Sequence, residues 1–262
     1  MAIKLTPQGW LIYATMALYA LTFALLAARR RKAGWTACAA AFAIAVASYA
    51  YRWVHVGHVP MQNIFEVLLL MGVLMAPLSA CCRRWLGVGV ESADALVAIV
   101  MLIPAGFVLP EAPQKLPPAL QTPFFIPHVL SYMLAYAIMA KAAVQAAAQL
   151  VTQRRLDRPG AYERSAYRMV CLAFPLLTAG LVLGAAWGRM AWTRHWNWDP
   201  KELWSLAAWL AAGVYLHYRL ITRRRRPNVC AALVIVATVL IVLTLAWVNF
   251  DHRFWGLHSC AR

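Results

Sequence analysis

A succession of apolar runs, each about as long as a bilayer is thick, constrains this chain more than any other feature. They lie near residues 9–28, 34–53, 64–82, 88–109, 124–150, 165–187, 203–221 and 229–250. A helix needs about 20 apolar residues to cross the hydrocarbon core. In lipid every backbone N–H and C=O has to be paired internally, which favours helices. The chain is 63% hydrophobic with a mean hydropathy of +0.62. These features predict an all-α polytopic membrane bundle of about eight transmembrane helices. The fifth run is longer than a crossing needs, so it is expected to tilt or project. Nothing between the runs is long enough to fold alone, and no internal repeat is visible. A single membrane domain over 1–262 is the expectation.

The formal charge of +16 would suit nucleic acid if it formed one basic face. It does not: the Lys and Arg residues sit in short clusters between the runs. Arg29-Arg30-Arg31-Lys32, Arg83-Arg84, Arg154-Arg155 with Arg158, and Arg223 to Arg226 occupy alternate loops. The opposite loops, 54–63, 110–123, 188–202 and 251–262, are poor in Lys and Arg. By the positive-inside rule the basic loops face the cytoplasm and both termini lie outside. Nucleic-acid binding is excluded on this pattern. The six cysteines include no C-x-x-C and no C-x-x-C-H, which argues against a thioredoxin-type oxidoreductase and a c-type cytochrome. The first apolar run is too long for a signal-peptide core and lacks a strong basic region before it.

Six of the twelve tryptophans fall between Trp187 and Trp209. Within that stretch Trp192, Trp196 and Trp198 crowd a predicted external loop spanning 187–204. An interfacial aromatic belt explains isolated tryptophans at helix ends, but it explains this density poorly. The loop suits a platform for a large, flat, apolar ligand. Asp199-Pro200-Lys201-Glu202 reads as a helix start, with Asp199 as N-cap and Pro200 in the first turn. A helix N-terminus at the surface also favours a carboxylate, and Arg189, Arg194 and Lys201 can pair with one.

Six of the seven histidines, His55, His58, His128, His195, His252 and His258, fall at or near the predicted outer face. Histidine is a common axial ligand of haem iron. His128, at the start of the fifth helix, and His258, just after the eighth, bracket the Trp-rich loop in sequence. The alternative for each is an interfacial histidine bonded to headgroups or backbone. His217 differs, because it lies about 21 Å along the seventh helix from Leu203 at 1.5 Å per residue. An ionisable residue at that depth is a functional candidate. The alternative is a histidine satisfied by a neighbouring helix or snorkelling inward. If it binds a metal, no other histidine of the chain lies at similar depth, which predicts a second subunit supplying one. His55 and His58 have i,i+3 spacing, but Gly57 and Pro60 interrupt a helix there and no zinc set is complete. Asn63 and Glu66 read as a cap and a buttress for the third helix.

The segment from Trp187-Gly188 through Trp196-Asn197-Trp198-Asp199-Pro200-Lys201-Glu202-Leu203-Trp204 closely resembles the WWD domain of the CcsA (ResC) family. That family supplies the haem-handling subunit of the two-part bacterial and plastid cytochrome c synthase. Gly57 to Glu66, Tyr215-Leu216-His217 and Gly256-Leu257-His258-Ser259 match further parts of its pattern, in order. The resemblance implies that haem b is substrate and bound ligand. It places His128 and His258 as axial ligands of an external haem, and Trp187, Trp192, Arg194, Trp196, Trp198, Asp199 and Trp204 around it. It pairs His217 with a histidine of a CcsB-like membrane subunit at an inner site. It implies a multi-pass protein of the bacterial plasma membrane, in contact with lipid, that presents haem on the extracytoplasmic face. There the C-x-x-C-H thiols of an apocytochrome c would add to the haem vinyl groups. The substrate brings the thiols, so no catalytic nucleophile in this chain is required.

Three other readings compete. A haem exporter or binding module would share the platform without ligation activity. A quinol-linked dihaem cytochrome b needs paired intramembrane histidines, and this chain has one. A transporter of another apolar ligand predicts no haem absorbance.

Overall fold

The computed structural model describes residues 3–152, 161–223 and 225–245, and among these it contains eight α-helices and no strand. The helices are α1 (Pro7–Ala27), α2 (Arg31–Val56), α3 (Ile64–Leu86), α4 (Glu91–Phe107), α5 (Phe125–Thr152), α6 (Ala161–Trp192), α7 (Pro200–Ile221) and α8 (Pro227–Leu245). A single 3-10 turn, Pro118–Leu120, precedes α5. Each helix coincides with one apolar run. Six helices, α1, α2, α3, α5, α6 and α8, are long and apolar enough to cross a membrane. α4 has 17 residues, short of the roughly 20 a crossing takes. α7 carries Lys201 and Glu202 in its first turn and His217 and Arg219 near its end.

Local chemistry sets most boundaries. Thr6 caps α1 by accepting from the Gly9 amide at 3.0 Å, and Pro7 occupies the first turn, where its missing N–H costs nothing. Asn63 caps α3 in the same way, accepting from the Glu66 amide at 3.0 Å. α2 and α3 end on Gly57 and Gly87, at φ 73° and 62°, where a residue without Cβ avoids the left-handed penalty.

The helices form two compact units, 1–116 and 117–262. In the first, α1 packs on α2 and α4, while α3 packs on α2 and α4. A buried ion pair joins α2 to the start of α3: Arg52 donates to Glu66 Oε1 from Nε at 3.0 Å and from Nη2 at 2.9 Å. Both side chains are buried. Glu66 Oε2 accepts from the Gln62 amide at 2.9 Å, and the Arg52 guanidinium lies 5.1 Å from the Phe65 ring centre. The other face of this motif holds backbone. Arg52 donates to the Glu111 carbonyl, Gln62 Nε2 to that of Lys115 at 3.2 Å, and His58 Nε2 lies 3.2 Å from that of Gln114. Residues 52–66 therefore clamp the polar segment 111–115, whose carbonyls have no helix of their own to pair with. Asn63 and Glu66 act as the expected cap and buttress. His58 is engaged with backbone, and His55 is exposed, with Nδ1 3.2 Å from the Tyr51 carbonyl. Lys4 Nζ donates to the Ala105 and Leu109 carbonyls at the end of α4, at 2.6 Å each. Partial burial there pushes the Lys4 pKa below its ordinary value.

In the second unit α5 packs on α6 and α8, and α7 packs on α8 and α6. Its core is built from small residues, with Ala135, Ala137, Ala142, Ala146, Ala173, Ala212 and Ala237 fully or almost fully buried. Such residues let helix backbones approach closely, the favoured packing mode when lipid supplies no hydrophobic drive between helices. A second buried pair, Arg219 with Glu163, ties α7 to α6. The guanidinium also lies 3.5 Å from the centre of the Tyr167 ring.

Candidate functional site

The Trp-rich segment differs from its sequence-based outline in one respect. Only residues 193–199 form a loop. Trp187 and Trp192 lie on the last turns of α6, and Trp204 lies on α7. The helix runs on through Gly188-Arg189-Met190-Ala191-Trp192 because that stretch holds no proline and no cap. It stops where Thr193 turns left-handed at φ 64°. The expected loop over 187–204 is thus a short loop between two helix ends.

The α7 start is as expected. Asp199 caps it, accepting from the Lys201 amide at 2.9 Å. Glu202 completes a capping box through the Asp199 amide at 3.2 Å. Glu202 Oε2 also accepts from the Asn197 amide at 2.8 Å. One carboxylate thereby holds two amides of the loop, so the acidic residues are structural anchors of the tryptophan segment. Within it Trp198 has φ 58° and its side chain is 69% exposed. A bulky aromatic residue in the left-handed region is uncommon, and such strain persists only where the surroundings impose it. Trp196 and Trp198 meet edge to face at 6.1 Å. Arg194 and His195 are exposed.

His128 lies on the first turn of α5, beneath the end of α6. Its Nδ1 is 2.9 Å from the Gly180 carbonyl oxygen. A carbonyl can only accept, so in the neutral ring this bond places the proton on Nδ1 and the lone pair on Nε2. Metal-bound histidines are usually held this way, by an N–H donated to a carbonyl or carboxylate. The ring stacks on Trp187 at 5.7 Å and 19°, and it meets Tyr132 edge to face at 5.1 Å. Trp187 is itself fixed: it is buried, donates Nε1–H to the Ala119 carbonyl at 2.8 Å, and contacts Trp192 at 4.7 Å. The structure therefore brings His128, Trp187 and Trp192 into one cluster. Trp204 and Lys201 start α7 on the other side of the loop. His258, the expected second axial ligand, and His252 lie outside the described residues.

His217 is exposed on α7, with Nδ1 2.9 Å from the Gly213 carbonyl one turn earlier. The same tautomer argument puts its lone pair on Nε2. No other described histidine approaches it on α7 or α8. Among the described residues no three His, Cys, Asp or Glu side chains gather as a metal-ion site. A haem iron needs only an axial donor on each face, so a cluster of three such side chains is not what it requires.

Sequence reasoning missed Gly180 and Gly184. They carry no charge and no aromatic ring, and the only signal is their four-residue spacing on one helix.

The profile of the cytochrome c assembly protein family matches residues 61–255. The chain is similar to the cytochrome c biogenesis protein CcsA of Synechococcus sp. (strain RCC307), 30% identical across 84% of this chain and 82% of that protein. CcsA of Chlamydomonas reinhardtii is 31% identical across 79% of this chain and 62% of its own length. Among solved structures, the cytochrome c haem lyase CcmF shares the fold, with a TM-score of 0.70 at 19% identity. The match covers 92% of this chain and 47% of the CcmF chain, so the chain spans about half of that protein.

Proposed function

We propose that this chain, which belongs to the cytochrome c assembly protein family and to its CcsA proteins, carries haem b through the membrane and presents it for covalent attachment. The acceptor is the C-x-x-C-H segment of an apocytochrome c on the extracytoplasmic face of a bacterial plasma membrane. A CcsB-like membrane subunit completes the machine. A single functional domain over 1–262, eight crossings and external termini are parts of the same reading.

One observation carries it: His128 is oriented by the Gly180 carbonyl and stacked on Trp187, at the end of the helix that leads into the tryptophan loop. In this reading His128 and His258 supply the two axial nitrogens. Trp187, Trp192, Trp196, Trp198 and Trp204 form the apolar walls, and Asp199 holds the loop in shape. The exposed guanidinium of Arg194 meets a propionate. At attachment each substrate thiol adds across a vinyl C=C. Sulfur bonds the carbon next to the ring, hydrogen goes to the terminal carbon, and nothing leaves. The step is redox-neutral, so the protein contributes orientation and shielding. His217, exposed one turn before the end of α7, serves an inner site with a histidine of the partner subunit.

The test is the absorbance of the detergent-purified chain, oxidised and reduced, with and without the partner subunit. Sharp reduced α and β bands, lost in His128→Ala, are expected. Absence of haem under both conditions returns the chain to the transporter reading.

A further inference from the structure

Gly180 and Gly184 lie one turn apart on α6. His128 and Tyr132 lie one turn apart on α5. The two pairs interlock. A Cβ on Gly184 would sit 2.7 Å from His128 Cε1 and 2.9 Å from Nδ1. A Cβ on Gly180 would sit 2.8–2.9 Å from three atoms of the Tyr132 ring. Real Cβ atoms do not come so close, so the notch exists only because both positions lack a side chain. Gly180 contributes twice, since its carbonyl also accepts from His128 at 2.9 Å.

The His128 ring cannot easily yield to a methyl group on Gly184. Trp187 covers one face and is tied to Ala119, while Tyr132 meets the ring edge-on against Gly180. Moving the ring means breaking its bond to the Gly180 carbonyl and unstacking it from Trp187. The helix itself would welcome the change, because alanine is the better helix former. Any harm from Gly184→Ala therefore passes through His128.

We infer that Gly184, with Gly180, is a positioning element of the haem site: the glycine notch sets the depth, tautomer and ring plane of His128. The inference rests on His128 being an axial ligand. Loss of groups that orient a metal-bound histidine costs roughly 10–100-fold in affinity, and a comparable loss is expected here.

The experiment titrates ferric haem b into the full-length purified apo-chain carrying Gly184→Ala, His128→Ala or both, and then reduces it. It also follows thermal unfolding of the same apo-chains. In Gly184→Ala, haem affinity should fall about 10-fold or more, and the sharp reduced α band should weaken. The apo-chain should unfold at a lower temperature than wild type. With the ring removed, the added methyl group has room, so the double variant should bind like His128→Ala alone and unfold at no lower a temperature. If Gly184→Ala does not fold, recovery of folded protein in the double variant carries the test. Wild-type affinity and spectrum in Gly184→Ala, or losses that simply add in the double variant, would overturn the positioning role. If His128→Ala itself keeps wild-type haem binding, the ligand reading fails instead, and the notch reduces to a packing contact visible only in the apo-chain melts.

Discussion

Asp199 and Trp198 are neighbours with opposite relations to stability. Asp199 satisfies an α7 amide and shares a capping box with Glu202. Asp199→Ala should destabilise the chain by about 1 kcal/mol, the usual cost of an N-cap, seen as a lower unfolding temperature. Trp198 sits at φ 58° with most of its surface exposed. Its conformation costs energy that burial does not return. Trp198→Gly should therefore raise the unfolding temperature while lowering haem retention in the purified protein. Joint loss of both would show that Trp198 is a packing residue. His128 was legible in the sequence as a candidate because it and His258 bracket the tryptophan-rich loop. Its orientation was not, since the partner that sets it is a backbone carbonyl 52 residues away.

Helix ends and helix junctions carry the next level of information. Thr6, Asn63 and Asp199 each stand where a polar side chain meets a free amide, and Gly57 and Gly87 stand where the chain reverses. Such punctuation is local, so element boundaries could be read within a few residues. The exception was the end of α6, which passes five residues beyond the expected stop and takes Trp187 and Trp192 onto a helix. Apolar periodicity fades there, but nothing forbids the helix until Thr193. Junctions between elements depend on charge pairing inside the unit. Arg52→Met leaves Glu66 buried without its cation, a change worth about 3–5 kcal/mol. The double change Arg52→Met/Glu66→Met removes both charges, so it should recover much of that loss. Thermal unfolding of the two variants in detergent would compare them, and equal losses would mean the pair does not hold α2 on α3.

For the whole molecule, the alternation of basic and non-basic loops predicts which loops face the cytoplasm. In a chain with its native cysteines replaced, Thr193→Cys should react with an impermeant thiol reagent in intact cells. Arg30→Cys should react only after the membrane is opened. The reverse pattern would place the tryptophan loop inside and remove the presentation mechanism. His217 tests the partner. It is exposed on its helix, with Nδ1 bonded to its own backbone. His217→Ala should lower haem content only when the second subunit is co-expressed, and an equal loss in the isolated chain would mean this protein alone completes that site.

The eight helices, their caps and the charge asymmetry of the loops follow from residue order, because each depends on residues within a turn or two of one another. Membership of the family was also readable there, since the tryptophan motif is contiguous. What lies against what was settled only in three dimensions. Arg219 finds Glu163 across 56 positions, and the segment 111–115 is held by side chains from 52–62. His128 meets Trp187 and the two glycines only when α5 docks against α6 at one depth. A notch formed by missing side chains has no signature in composition or period. It becomes a feature only when another helix fills it.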